Sequence, residues 1–229
     1  MSWILARKKK LLTPSRPASV TYAGNAGTAS PSTPSHTFTS VAIGTAAADR
    51  YVIVAVACRG GASQADVSSV TVAGVSCTQI GSDVNAGASN SHLSLWLTNT
   101  VIASGATANI VVTMAAPYPQ GVAVATWAVA GLQSTTPTDT DSTTTDAASV
   151  SSSAQAGGIL VAAAFSVDAM SSATHTWTGV TENFDGRSVT ASSSMSGGSL
   201  AVAVTGNVSV SCDSTGGLAG FMMIAASFR

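Results

Sequence analysis

The run Tyr51-Val-Ile-Val-Ala-Val-Ala-Cys58 decides how this chain is read. It holds no charge, is rich in β-branched residues and stops at Arg59-Gly60. It is too short for a buried helix and has no polar face, so it reads as a strand covered on both sides. The run returns as Ile159-Leu-Val-Ala-Ala-Ala-Phe165. Around it the rest repeats. Val70-Thr-Val-Ala-Gly-Val-Ser-Cys77 matches His175-Thr-Trp-Thr-Gly-Val-Thr-Glu182, Asn109–Thr113 matches Asn207–Ser211, and Val122–Val129 matches Gly220–Ser227. The shared Gly74 and Gly179 mark a turn that needs positive φ. Offsets near 100 residues are too long for a solenoid; a duplicated half-sandwich with pseudo-repeats at about 50–131 and 157–229 explains them.

Between these runs lie short alternating segments bounded by Gly, Asn, Asp, Ser and Pro, and no segment carries the period of an amphipathic helix. In Asn207–Cys212, Val208 and Val210 alternate with Ser209 and Ser211; in His92–Thr98, three leucines alternate with Ser94, Trp96 and Thr98. Both read as antiparallel strands with one wet face. The expected fold is all-β, an antiparallel jelly-roll-like β-sandwich over 36–229. Pro14, Pro17, Pro31 and Pro34 keep what precedes it extended, with 18–35 a Pro/Gly/Ser connector. Ser134–Asp146 reads as an exposed loop crossing between the halves.

Charge divides the chain differently. All three lysines stand at Lys8, Lys9 and Lys10, flanked by Arg7 and Arg16. Residues 17–229 hold four cations against ten anions, a formal charge of −6. Charged residues are 8% of the chain, about a third of the usual share, while Ser and Thr number 63. A hydroxyl coat therefore replaces salt bridges at the surface, and 45% hydrophobic content excludes a solvated disordered chain.

The arm 1–17 brackets its basic cluster with Trp3, Ile4, Leu5, Leu11 and Leu12. A nucleic-acid arm carries more charge and fewer bulky apolar residues, and a membrane-surface helix is longer. A frayed terminus is the plain alternative. The composition suits a docking arm, with Trp3, Ile4 and Leu5 in a partner's groove and Arg7, Lys8, Lys9 and Lys10 on an acidic rim. Met1–Leu5 is apolar first and basic second, the reverse of a secretion signal. No apolar run reaches the roughly 18 residues of a membrane helix. Synthesis in a host cytoplasm is expected.

No constellation points to chemistry. There is no GxSxG, and His36, His92 and His175 show neither ligand spacing nor a carboxylate at suggestive distance in sequence. Glu182 with Asp185, or Asp139 with Asp141, are the candidate carboxylate pairs for sugar hydrolysis, and both sit in turn-like text. Asp139, Asp141 and Asp146 lack the central Gly and closing Glu of a calcium loop. Cys58, Cys77 and Cys212 read as buried small hydrophobes or as one disulfide with a free thiol. Asn207-Val-Ser209 is a formal glycosylation sequon in mid-strand. No catalytic, metal or cofactor residue is assigned. Trp96 and Trp177 are candidates for a surface contact, stacking on a sugar or filling a subunit interface; burial beneath a loop or a second sheet is the alternative for Trp96.

Four segments together resemble β-sandwich proteins of tailed bacteriophages and prophages: Asp49–Gly60, Val70–Gly81, Leu93–Leu97, and Ala123–Gly131 followed by Pro137. The hairpin Trp of that group is missing from the first half, while Trp177 precedes the Gly in the second. The resemblance covers about residues 36–228 and implies a virion surface component of the capsid-decoration, head-spike or fibre type, with no catalytic residues. The expected partners are the major capsid protein or a neighbouring virion protein and further copies of the chain, not nucleic acid or membrane. The alternative is a carbohydrate-binding module of a tail fibre or baseplate, with host surface glycans as partner.

Overall fold

A computed structural model of the chain describes residues 16–29, 33–60, 66–85, 90–115, 120–168, 173–190, 193–215 and 218–229. Among these there are sixteen strands and no helix. The first eight are β1 (Ser19–Ala29), β2 (Ser35–Ala42), β3 (Tyr51–Arg59), β4 (Val67–Val72), β5 (Val75–Asn85), β6 (Ser91–Thr98), β7 (Thr107–Met114) and β8 (Gly121–Ala130). The second eight are β9 (Asp139–Thr143), β10 (Ser149–Ala154), β11 (Gly158–Asp168), β12 (His175–Thr178), β13 (Thr181–Thr190), β14 (Ser193–Val202), β15 (Gly206–Ser214) and β16 (Leu218–Phe228).

In the first eight, β1 pairs with β8, β2 with β7, β3 with β6 and β4 with β5, all antiparallel. Partner numbers sum to nine, as in a long two-stranded ribbon folded at its middle and rolled up, which is the winding of a jelly roll. Rolling brings β8 onto β3, β7 onto β4 and β6 onto β5. The result is a five-stranded sheet β1-β8-β3-β6-β5 facing a three-stranded sheet β2-β7-β4, joined because β5 begins on β4 and continues on β6. The second eight repeat both sheets in the same order, β9-β16-β11-β14-β13 and β10-β15-β12.

The duplicated unit is therefore a whole sandwich, not half of one. The sequence matches fall on equivalent strands: β3 and β11, the β4–β5 and β12–β13 hairpins, β7 and β15, β8 and β16. Gly74 and Gly179 take φ of +79° and +85°. Two segments differ from expectation. β1 (Ser19–Ala29) lies wholly in the stretch 18–35 assigned above to the connector, so the sandwich begins before residue 36, and β9 lies in the stretch read as a crossing loop. Both are edge strands, which need only backbone pairing along one side and so leave little hydrophobic pattern. β9 adds a side-chain device. Asp141 Oδ2 and Asp139 Oδ2 accept the N–H groups of Ser151 and Ser153 on β10, each at 2.8 Å. Alternate residues of one strand thus cap alternate outward amides of another, at an edge that would otherwise invite pairing.

The two five-stranded sheets pack face to face, with β1 against β13 and β5 against β9. First strand meets fifth both ways, so the halves are related by an approximate twofold. Four layers result, with three apolar cores. One fills each sandwich. The third lies on the seam between them, where Ile53, Leu93, Leu95 and Leu97 meet Phe165, Met222, Ile224 and Phe228 over a floor of alanines. Both inner sheets are covered on both faces, which is why Val52–Cys58 of β3 and Ile159–Phe165 of β11 are apolar throughout. Outer strands β7, β10 and β15 alternate buried and exposed residues.

β6 looks the same in sequence as these outer strands, yet all eight of its residues are buried. Ser94 Oγ accepts the Trp96 indole N–H at 2.8 Å, and Thr98 Oγ1 accepts the Val52 amide at 3.1 Å. A polar side chain satisfied inside a core and one facing water give the same alternation.

The largest knob on the seam is Trp127 of β8, fully buried, its indole N–H donated to Asn183 Oδ1 at 2.7 Å. Tyr22 meets it edge-on at 5.9 Å and itself stacks on Phe184 at 5.2 Å. The indole fits because Gly197 has no side chain: a Cβ there would come within 2.8 Å of the Trp127 ring. Trp127→Ala is expected to cost about 3–5 kcal/mol of unfolding free energy, measured by denaturant titration, and Gly197→Val to destabilise by overpacking. A loss under about 1 kcal/mol for Trp127→Ala would contradict this packing.

Candidate functional site

The docking-arm residues Trp3, Ile4, Leu5, Arg7, Lys8, Lys9, Lys10, Leu11 and Leu12 lie outside the described residues. The described chain begins at Arg16, whose guanidinium is 3.4 Å from Asp49 Oδ2. The same carboxylate oxygen accepts the Gly131 amide at 2.9 Å. The root of β1 is thus held at the end of the molecule where β8 leaves the first sandwich. Both side chains of the Arg16–Asp49 pair are well exposed, so it adds little stability.

Neither tryptophan proposed as a surface contact is at the surface. Trp96 is 5% exposed and Trp177 9%. Trp96 packs in the core of the first sandwich, and Trp177 in that of the second with its N–H on Ser196 Oγ at 3.2 Å. Neither offers a ring face to a sugar. The physical reason is layering: β6 lies in an inner sheet covered on both faces, and β12 turns Trp177 to the covered face of an outer sheet while Thr176 and Thr178 face outward.

Asp139, Asp141 and Asp146 are structural acceptors. Asp139 and Asp141 cap β10, and Asp146 Oδ1 accepts the Ser214 amide at 3.0 Å. No group of three or more His, Cys, Asp or Glu among the described residues is placed to hold a metal ion. All three cysteines are free, with Cys58 and Cys212 buried and Cys77 partly so. Burial pushes their thiols up, that of Cys77 to about 12, so none is a ready thiolate nucleophile at neutral pH.

One arrangement has no counterpart in the sequence reading. The β12–β13 turn at Gly179 brings His175 and Asp185 together, Nδ1 to Oδ1 at 2.8 Å, and Nε2 lies 3.1 Å from Ser166 Oγ. The order Asp–His–Ser is that of a nucleophilic relay. Ser166, however, is 0% exposed and its hydroxyl also meets Ser194 Oγ at 3.0 Å, which in turn donates to the Ala173 carbonyl. The chain of bonds satisfies polar groups across a core and leaves the hydroxyl no open approach. Burial pushes the Asp185 carboxyl up, but bonds from the His175 ring and amide, the attraction of that ring and the Gly186 amide outweigh it and hold the carboxyl below its ordinary value. The turn glycine was the available signal, since a hairpin centred there sets residue 175 opposite residues 184–185.

A cleft of about 680 Å³ opens on the seam between the halves, lined on one side by Thr78, Gln79 and Asn99 and on the other by residues 135–140. Asp139 is its one ionisable residue, and both carboxylate oxygens are already bonded, to the Thr140 and Ser153 amides. No helix of the described residues is long and apolar enough to cross a membrane. No family model, no curated protein and no solved structure matches this chain.

His36 and His92 are buried in the first sandwich, and none of the described residues hydrogen-bonds His36 Nε2 or either ring nitrogen of His92. Asp66 Oδ1 stands 3.7 Å from His92 Nδ1. Burial lowers both imidazoles below their ordinary value, opposed at His92 by the Asp66 charge and at His36 by a bond to the Thr33 backbone. Folding therefore favours the neutral rings. Their contribution is full above the unfolded value near 6.5 and is lost as pH falls from there through the lowered folded values. Thermal melts are expected to drop between pH 7.5 and 5, and a His36→Leu/His92→Leu variant to show a flatter pH profile. An unchanged midpoint over that range in the parent protein would contradict neutral burial.

Proposed function

We propose that this chain is a non-enzymatic structural component of a tailed-phage virion, an exposed accessory of the capsid-decoration, head-spike or fibre type anchored by its N-terminal arm. The observation that carries this reading is the segregation of charge. Five of the nine cations fall in the first 16 residues beside Trp3, Ile4 and Leu5, and the body that follows carries a formal charge of −6. A basic, apolar-tipped segment on a nearly uncharged body is suited to a partner whose groove is apolar and whose rim is acidic. A body closed at its edges and coated with hydroxyls stays soluble at the high local concentration of a particle surface. The jelly-roll winding agrees, since capsid proteins are among its users, although fold alone assigns no role. Fifteen extended residues reach up to about 50 Å, enough to bridge from a partner to the root of β1.

Removing residues 1–15 tests the proposal. The truncated protein is expected to melt like the parent and to fall roughly tenfold or more in particle occupancy, the scale of losing a cluster of interface anchors. Reversing Lys8, Lys9 and Lys10 to Glu is expected to act in the same direction. Full occupancy of the truncated protein in purified particles would overturn the docking role.

A further inference from the structure

The walls of the cleft on the seam state what it would accept. We infer that it binds a neutral saccharide. It lies where two packed units meet, a usual position for ligand sites, and its volume of about 680 Å³ is within their usual range. Thr78, Gln79, Asn99, Thr136 and Thr138 supply hydroxyls and amides; Pro137 adds an apolar wall, and Ile80 and Leu97 lie beneath.

Charge decides the class. Phosphates and carboxylates need a cationic countercharge to replace their hydration, and the cleft lining holds no Lys, Arg or His. Its one carboxylate, Asp139, is engaged by the Thr140 amide and by the Ser153 amide of β10, and a single carboxylate is a poor cage for a cation, which takes several oxygen ligands. Thr78 Oγ1 donates to Asn99 Oδ1 at 2.6 Å, which uses the acceptor of that side chain and leaves its Nδ2–H groups as the donors for a ligand. Hydroxyl acceptors, amide donors and one apolar wall match a ligand that alternates O–H and C–H groups and carries no charge. A charged small molecule would lose hydration without return.

Position keeps this site independent of arm docking. The arm enters at β1, and the cleft opens beside β5 at the far edge of the same five-stranded sheet, about 19 Å away at the usual strand spacing. The root of the arm and the cleft thus stand at opposite edges of that sheet.

Threonine-methyl NMR on the full chain tests the inference. The probes are maltotriose, mannotriose, lactose and tri-N-acetylchitotriose, with glucose 6-phosphate and sialyllactose as charged controls. Saturable shifts are expected from at least one neutral probe, confined to Thr78, Thr135, Thr136, Thr138 and Thr140, with the charged controls weaker. Thr136→Arg, a surface change that fills the cleft, is expected to abolish them while the melting temperature stays unchanged. Gln79→Arg, entering from the opposite wall, serves if Thr136→Arg lowers the melting temperature. The protein lacking residues 1–15 is expected to bind as the parent does, so failure of docking and failure of this site read separately. Absence of saturable shifts from every neutral probe, shifts located away from the cleft, or equal binding of the charged controls would overturn the inference.

Discussion

Burial of both faces of the two five-stranded sheets is the constraint on which the structure depends. A sandwich of five strands over three leaves one face of its larger sheet bare, and in β3, β6, β8, β11 and β16 that face is aliphatic or aromatic. Water contact there would cost about 25 cal/mol per Å². Each half covers the other's bare face, so the seam is a third core made jointly. The alanines of β3, β8 and β11 let large side chains from the opposite sheet approach, and Gly197 opens one position further for Trp127.

The seam also explains the sparse surface chemistry. Layering places most strands under another strand, and what remains exposed is the outer faces, the turns and the edges. Edges are closed without lysine or glutamate. β5 carries one sheet into the other in the first half. In the second, Asp139 and Asp141 cap β10. The single Thr126 hydroxyl proton is shared between the carbonyls of Ala42 on β2 at 2.7 Å and Gly24 on β1 at 3.1 Å, tying these two edges of the first half together. A buried arginine does similar work in the loops: Arg50 donates to the carbonyls of Gly44, Ile102 and Ser104, joining the β2–β3 and β6–β7 connections. The low charge of the body is thus compatible with a closed sheet architecture, because hydroxyls, a few carboxylates and one guanidinium satisfy the backbone where strands end.

Much of this was legible in the residues. Tyr51–Arg59 and Ile159–Val167 identify strands covered on both sides, and Gly74 with Gly179 identifies equivalent turns. The scale of the repeat was not legible, because β1, β2, β9 and β10 share no sequence pattern: edge strands are specified by backbone pairing and tolerate almost any side chain. β6 misled for the opposite reason, since Ser94 and Thr98 find partners inside a core and so mimic a wet face. The His175–Asp185–Ser166 bonds depend on the register of a hairpin against a neighbouring sheet, and the seam cleft depends on how two sandwiches stack. Neither quantity is written in local pattern.

If the seam is a shared core, the two sandwiches unfold as one body. Native-state hydrogen exchange on the full chain measures this directly, because amides that open only with the whole molecule report its global free energy. Central amides of β3, β8, β11 and β16 are expected to share one exchange free energy and one denaturant dependence, with β2, β10 and β12 opening earlier. Two separate values, one for β3 and β8 and another for β11 and β16, would show that each sandwich stands alone and would contradict the account.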